Sequence, residues 1–471
     1  MEATAATNDI YQPVDQDQPT VETLVEDEIP GDEFHSQHSL SSSLSRVNLV
    51  CFWLLGLFNN SSYVIMIACA KNISEGGTAV VFLVNIAPSF LVKLSAPYWF
   101  DHVSYQNRIM TATISMVGSF MLVASNSSDD TGRKLNLALQ LIGVALGSFQ
   151  SGLGEATLLA LSGKRDAEQR EDLDGDTSSK GRSLTCFSSG TGMAGVFGFF
   201  WKWFWTDLMG FEVSTMLWLA MIIPLGYWVS FKVVMNSYGR YPQPSIPNAN
   251  QQEISSETQA LNVGTFEISP TYSPEDEAVV PISELSTKER LRLFLGLWIY
   301  IVPLFVVYAA EYALQSGTWT AIGFPVTDID SRDHFYEFSN WMYQGGVFLS
   351  RSSGTLWTAP LWFVWMLPGL QSINVLVFYY IASHPTTSAL YSPRILYAGA
   401  FYAGLLGGSC YINTYKRICQ DLPLIHQEFA LSSTSVGESF GIILADISGL
   451  FIQACLYKAN GLEGAIVQCP L

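Results

Sequence analysis

The chain has 471 residues, of which 49% are hydrophobic and only 14% charged, where a soluble globular protein carries about 25% charged residues. That shortfall points to a membrane protein and away from a soluble enzyme. The formal net charge is -18, which argues against nucleic-acid binding, since that requires a basic face to displace counterions from phosphate.

The acidity is local. Ten acidic residues precede Arg46 and eight more lie between Asn236 and Arg290, so the charge belongs to a tail and a loop. Residues 1–47 read as a disordered acidic cytosolic tail, without the basic start and short apolar core of a cleaved signal peptide. The first apolar segment is therefore expected to act as an uncleaved anchor. Seven cysteines fall mostly inside apolar runs and none forms a CxxC pair, so neither a disulfide framework nor a zinc site is expected.

Apolar runs long enough to cross a bilayer number eleven in chain order. They cover residues 49–70, 77–100, 108–125, 135–162, 183–205 and 211–235, then 291–314, 338–352, 356–382, 395–415 and 435–457. The eighth is short and interrupted by Gly345, Gly346 and Arg351. The expected architecture is all-α and polytopic. A six-helix bundle over 48–235 is joined by a disordered cytosolic linker, 236–290, to a five-helix bundle over 291–458, with a short tail over 459–471. With the N-terminus in the cytosol, about fourteen Lys and Arg fall on cytosolic segments and about seven on the far side, as the positive-inside rule requires. The sequons at Asn72 and Asn126 then both face the lumen as candidate glycosylation sites, Asn126 the further from the bilayer.

A faint internal repeat links the halves, as in secondary transporters. GLGEATLLALS (Gly152–Ser162) has its counterpart in LLGGSCYINTY (Leu405–Tyr415), and CFSSGTGMAG (Cys186–Gly195) in ALSSTSVGES (Ala430–Ser439). Extending the alignment lays FLVKLS (Phe90–Ser95) over VFLSRSS (Val347–Ser353), which makes Lys93 and Arg351 repeat mates.

No catalytic pattern is present. HExxH and GxSxG are absent and six scattered histidines offer no metal-ligand spacing, so no enzyme activity, cofactor or metal is expected. GSFQSGLG (Gly147–Gly154) lacks Walker spacing and reads as small residues that let helices approach. The informative residues are the charges at membrane depth: Lys93, Glu155, Glu311, Arg351, Glu438 and Asp446. Lipid cannot solvate such groups, so they face a bundle interior or a water cavity and pair with one another. Asn59, Asn60 and Asn413 add amide groups to such a passage. Plainer roles stand beside this one. Lys93 lies roughly 10 Å of helix rise from Phe100, within reach of snorkelling to headgroups; Arg351 satisfies the positive-inside rule at a span end; Glu438 and Asp446 fit interhelical hydrogen bonding. Glu155 and Glu311 are candidates for carrying a coupled proton.

Six ordered blocks, LGLFNNSSYVIM (Leu55–Met66), APSFLVKLSAP (Ala87–Pro97), GLGEATLLALS, SSGTGMAG (Ser188–Gly195), YQGGVFLSRSSG (Tyr343–Gly354) and GLLGGSCYINTY (Gly404–Tyr415), resemble the battenin family, the Batten disease proteins of lysosomes and fungal vacuoles. The resemblance implies a lysosomal or vacuolar membrane protein, distantly similar to major-facilitator and equilibrative nucleoside transporters. It also implies a part in lumenal pH homeostasis, in basic amino-acid (arginine) transport or in clearance of glycerophosphodiesters. Glu311 and Arg351 fall in blocks where the family is sensitive to substitution. Two departures stand out: the chain ends Cys469-Pro470-Leu471, one residue short of a prenylation box, and SPEDEAVVPI (Ser273–Ile282) is a weak substitute for an acidic di-leucine sorting signal.

The expected function is alternating-access transport of a small solute, with protons and membrane lipids as further partners. Lys93 and Arg351 would hold a phosphodiester, or the carboxylates would hold arginine. The alternative is a non-transporting scaffold that regulates vesicle trafficking or a proton pump through its acidic cytosolic segments.

Overall fold

A computed structural model describes residues 31–73, 78–125, 133–171, 181–238, 282, 285–386 and 388–470. The sequon Asn126 and most of the linker lie outside these residues, and so does the side chain of Asn72. Among the described residues every regular element is helical. The long helices are α1 (Gly31–Ala68), α2 (Thr78–Trp99), α3 (Tyr105–Ser125), α4 (Arg133–Glu171), α5 (Arg182–Lys202) and α6 (Ile222–Tyr238, preceded by the short helix Val213–Leu219). The second half supplies α7 (Trp298–Ala313), α8 (Ile329–Ser352), α9 (Leu361–Ser383), α10 (Pro393–Asp421), α11 (Leu424–Thr434) and α12 (Val436–Ala459). Residues Arg46–Leu471 make one compact unit.

Among the described residues eight helical segments are long and apolar enough to cross a membrane, and α2 contains a shorter apolar stretch, Val81–Ala96. Two long helices, α5 and α8, fall below that apolarity, and their contacts explain why. The buried face of α5 is made of small and hydroxylated residues, Ser188 to Gly192 with Ala194, Gly195 and Gly198. It packs against α8, whose buried face carries Asn340, Tyr343 and Arg351. Helices that face protein and a polar cleft on most sides have no need of a lipid-like surface.

Glycines set the closest helix crossings, because a side chain at those positions would meet backbone. A Cβ on Gly56 would lie 2.1 Å from the Phe187 carbonyl oxygen, and one on Gly190 would lie 1.9 Å from that of Trp53, so α1 and α5 touch through bare backbone. The second half repeats the device: a Cβ on Gly441 of α12 would lie 2.5 Å from the Phe305 oxygen of α7, and one on Gly437 would lie 2.8 Å from the Ile301 oxygen. A second pair of crossings is also shared. Gly152 seats α4 on Ser89 of α2, while Gly346 and Gly404 seat α8 and α10 on each other, where added Cβ atoms would lie 2.2 Å and 2.1 Å from facing carbonyl oxygens. Two pseudo-repeated sets of helices follow from these contacts.

The polar connection after α4 is used structurally. The Asp166 carboxylate accepts from the backbone N–H of Ser183 at 2.8 Å and of Leu184 at 3.0 Å, a cap supplied to α5 from the preceding helix. Asp328 caps α8 by accepting from the Ser331 N–H at 3.2 Å. One expectation is corrected: Cys455 on α12 and Cys469 in the tail form a disulfide. Their spacing matches no motif, and the turn after Ala459 that brings the tail back could not be read from it.

Gly404→Val should destabilise the protein by about 1–3 kcal/mol or more, through overpacking at the α8–α10 crossing. Gly369→Ala, on a face of α9 with nothing within 4 Å, should leave the thermal midpoint unchanged or slightly raised. Thermal unfolding of the two variants in detergent checks both expectations.

Candidate functional site: a cleft with a basic floor

One cleft enters the helical unit at the end where α1, α5, α7 and α12 finish and where α2 and α8 begin. Its wide outer part holds about 670 Å³ and is lined by Ala68, Leu83, Lys202, Trp203, Arg332 and Leu450 among others. Its narrow inner part holds about 90 Å³ and is lined by Asn60, Tyr63, Thr191, Tyr308, Tyr312, Gln315, Asn340, Tyr343, Gln344 and Arg351. Ile67, Phe82, Phe199, Ser316, Tyr336 and Asp446 line both parts, which makes the space continuous. Residues from both halves of the chain meet along its wall. The inner part is rich in tyrosine hydroxyls and amides, groups that orient a polar ligand by hydrogen bonds.

Arg351 forms the floor. Its Nη1 donates to Thr191 Oγ1 at 2.6 Å and its Nη2 to the Tyr308 hydroxyl at 2.8 Å. The guanidinium lies 3.8 Å from the centroid of the Tyr411 ring, in cation–π contact. Its Nε–H has no hydrogen-bond partner. Among the described residues no carboxylate lies within ion-pair distance of this buried guanidinium.

Beneath it lies a second layer. Lys93 Nζ donates to Glu155 Oε2 at 2.7 Å and stands 3.9 Å from Glu438 Oε2. The Tyr411 hydroxyl donates to the other Glu155 oxygen at 2.9 Å, and Tyr415 donates to Glu438. Thus α2 and α4 of the first half are tied to α10 and α12 of the second through two cross-chain carboxylates and one ammonium, all buried. Tyr411 belongs to both layers, its ring under Arg351 and its hydroxyl on Glu155. Further toward the same end, Arg108 of α3 is held between the rings of Phe100 and Tyr105, at 4.3 Å and 4.6 Å, and its Nη2 reaches Glu428 of α11 at 3.3 Å. Lys416 of α10 donates to the Gly354 carbonyl after α8. The cleft is open at one end and tied shut by ions at the other.

A family model described as "CLN3 protein" matches residues 50–459. The chain belongs to the CLN3 protein, or battenin, family. A Protein BTN1 of Yarrowia lipolytica is 32% identical over 425 residues, 88% of this chain and 96% of that one. A Protein BTN1 of Debaryomyces hansenii is 31% identical, covering 85% and 91%, and the Battenin of Canis lupus familiaris is 30% identical, covering 86% and 90%. Among solved structures, the E.coli fucose:proton symporter FucP is similar at 13% identity and a TM-score of 0.48, over 89% of this chain and 93% of that one. A bacterial homologue of the iron transporter ferroportin, in an outward-facing state, is similar at 12% and 0.44, over 88% and 98%.

In this battenin-family member the candidate residues separate into groups. Arg351 and Asn60 line the cleft. Lys93 and Glu155 do not; they are paired with each other one layer deeper. The reason is proximity, since the α2–α4 crossing brings a carboxylate to 2.7 Å. Snorkelling is excluded for Lys93, whose ammonium is buried. Glu311 sits behind the wall, accepting from the Tyr343 hydroxyl at 2.9 Å with its other oxygen unpartnered against Gly407. Asn59 and Asn413 are hydrogen-bonded within the helical unit. Asn59 accepts from Gln150 Nε2 at 3.0 Å and from the Tyr227 hydroxyl at 3.1 Å, and donates to the Ser151 carbonyl at 3.2 Å. Asn413 accepts from the Ala359 N–H at 2.8 Å and donates to the Ser409 carbonyl at 2.9 Å. The tyrosines, Thr191 and Gln344 were missed because single polar residues in apolar runs carry no period that marks the wall they face.

Lys93→Ala should cost about 3–5 kcal/mol by leaving Glu155 and Glu438 buried without their cation. The double change Lys93→Met with Glu155→Gln should recover part of that loss, because neither partner is then charged. Thermal unfolding of the single and double variants measures the difference.

Proposed function

We propose that this chain is a solute transporter of the lysosomal or vacuolar membrane that works by alternating access and takes up an anionic phosphodiester, such as a glycerophosphodiester, at Arg351. The observation that carries the reading is the asymmetry of the two interior cations. Lys93 is neutralised by Glu155, whereas the Arg351 guanidinium faces the cleft with only neutral partners and an unpartnered Nε–H. A guanidinium is always charged and binds phosphate through a planar fork, and an anion arriving there compensates a charge that the fold leaves unpaired. The tyrosine hydroxyls and amides around it suit the glycerol and ester oxygens of such a solute.

Arginine fits this floor less well. A cationic solute needs a carboxylate at the deep end, and Glu155 and Glu438 are already engaged with Lys93, Tyr411 and Tyr415. With the N-terminus in the cytosol, the open end of the cleft faces the lumen and the layer of Lys93, Glu155 and Glu438 is the cytosolic gate. Opening that gate requires the two halves to part across those contacts, as alternating access demands. Glu311, one side chain behind the cleft wall through Tyr343, is the proposed carrier of a coupled proton, which links transport to lumenal pH. Nothing in a scaffold that regulates trafficking or a proton pump calls for a basic floor inside a polar cleft.

Reconstituted protein should move a labelled glycerophosphodiester across proteoliposomes under an imposed pH gradient. Arg351→Ala should reduce that flux at least tenfold and Arg351→Lys should retain part of it. Equal flux in wild type and Arg351→Ala would refute the binding role, and absence of flux for every solute would favour the scaffold. Glu311→Gln should leave flux measurable but make it indifferent to the gradient; a gradient response equal to that of wild type removes Glu311 from the coupling path.

A further inference from the structure

The cleft is polarised along its length. Its floor is the unpaired guanidinium of Arg351, and part-way up the wall stands Asp446 of α12, which lines both the narrow and the wide parts. Eight residues separate Asp446 from Glu438 of the gate layer on the same helix, about 12 Å of rise, so the carboxylate sits about two turns nearer the mouth. Among the described residues Asp446 has no hydrogen-bond or ion-pair partner, and its side chain is not sealed from the cleft. A carboxylate inside a membrane helix is costly unless something uses it. Beside it in the narrow part are the rings of Tyr63, Tyr312 and Tyr336, whose faces attract cations, quaternary ammonium groups included.

Resting on the reading of Arg351 as an anion site, we propose that Asp446 selects solutes with two opposite charges: the anion is held on the floor and a cationic group is held nearer the mouth by Asp446 and the tyrosine rings. Solutes of the same size with a neutral second end would bind through Arg351 alone. Two basic residues, Lys202 and Arg332, and three acidic ones, Asp207, Asp333 and Glu337, also line the wide part but not the narrow one; they lie toward the mouth, and Arg332 is fixed there by donating to the Val326 carbonyl at 2.6 Å. The dipole that a solute meets therefore runs from Arg351 at the floor to Asp446 above it. The same chemistry could come from a phosphodiester with an ammonium head or from a basic amino acid, and the two are separable by experiment.

The test is half-saturation of transport by the full-length protein in proteoliposomes for three probes: glycerophosphocholine, which is dipolar; glycerophosphoglycerol, which is anionic only; and arginine. Asp446→Asn keeps the shape and removes the charge. It is expected to raise half-saturation for glycerophosphocholine about tenfold and to leave glycerophosphoglycerol within about twofold of wild type, with Asp446→Glu keeping the wild-type preference. If arginine is the probe that is carried and that loses affinity in Asp446→Asn, the dipolar site stands and its source is an amino acid. An equal loss for both phosphodiesters, or no change for any probe, overturns the proposal while leaving an Arg351-dependent flux intact. Wild-type protein that carries none of the three overturns both this inference and the transport reading beneath it.

Discussion

An ionised side chain inside a bilayer has to be solvated by the protein itself, and the contact between Lys93 and Glu155 at 2.7 Å is where this fold meets that demand most directly. Removing two charges from water costs several kcal/mol each, which their attraction offsets only if the remaining protons and lone pairs are also satisfied. Here the second Glu155 oxygen accepts from Tyr411, and Glu438, the other carboxylate near the ammonium, accepts from Tyr415. The tyrosines on α10 are therefore part of the electrostatics. Their hydroxyls take the place of water, and their rings, 4.8 Å apart in edge contact, hold the hydroxyls at the depth of the ions.

That arrangement depends on how closely the helices approach. The short Lys93–Glu155 contact needs α2 and α4 nearly in backbone contact, and Gly152 against Ser89 provides it. The same holds for the floor of the cleft. A Cβ on Gly192 of α5 would lie 3.0 Å from the Phe348 Cα and 3.3 Å from the Arg351 side chain, so the absence of a side chain there lets Arg351 reach Thr191. Small residues in these helices are where the polar site and the packing meet, which is why α5 is long, buried and yet only weakly apolar.

The helices and their order were legible in the sequence because span length and apolarity act residue by residue. The family followed from six motif blocks. Which charged residues matter was legible too, since a charge in an apolar run is conspicuous. What each one faces was not. Lys93 and Arg351 look alike along the chain, but one meets a carboxylate and the other meets a threonine and a tyrosine, a difference made by neighbours 62, 160 and 43 positions away. The partners of Asn59 and Asn413 were hidden for the same reason, because an amide's partners lie far along the chain. The disulfide of Cys455 and Cys469 depends on a chain reversal after α12 that hydropathy does not encode.

The internal repeat supplies the last step. Laying Gly152–Ser162 over Leu405–Tyr415 puts Glu155 opposite Gly408, and laying α2 over α8 puts Lys93 opposite Arg351. In the first half the cation meets the carboxylate. In the second half the position corresponding to that carboxylate is a glycine packed directly on the cation: a Cβ on Gly408 would lie 3.2 Å from Arg351 Cγ and 2.1 Å from the Ser350 hydroxyl. There is no room there for the acid that neutralises Lys93. One framework thus produces a closed pair on one side and an unneutralised guanidinium on the other, and the difference rests on a single side chain. A symmetric pair of closed ion pairs would be a packing device. The asymmetric version leaves one positive charge unpaired at the floor of the cleft, set by backbone proximity and open to compensation by an anion.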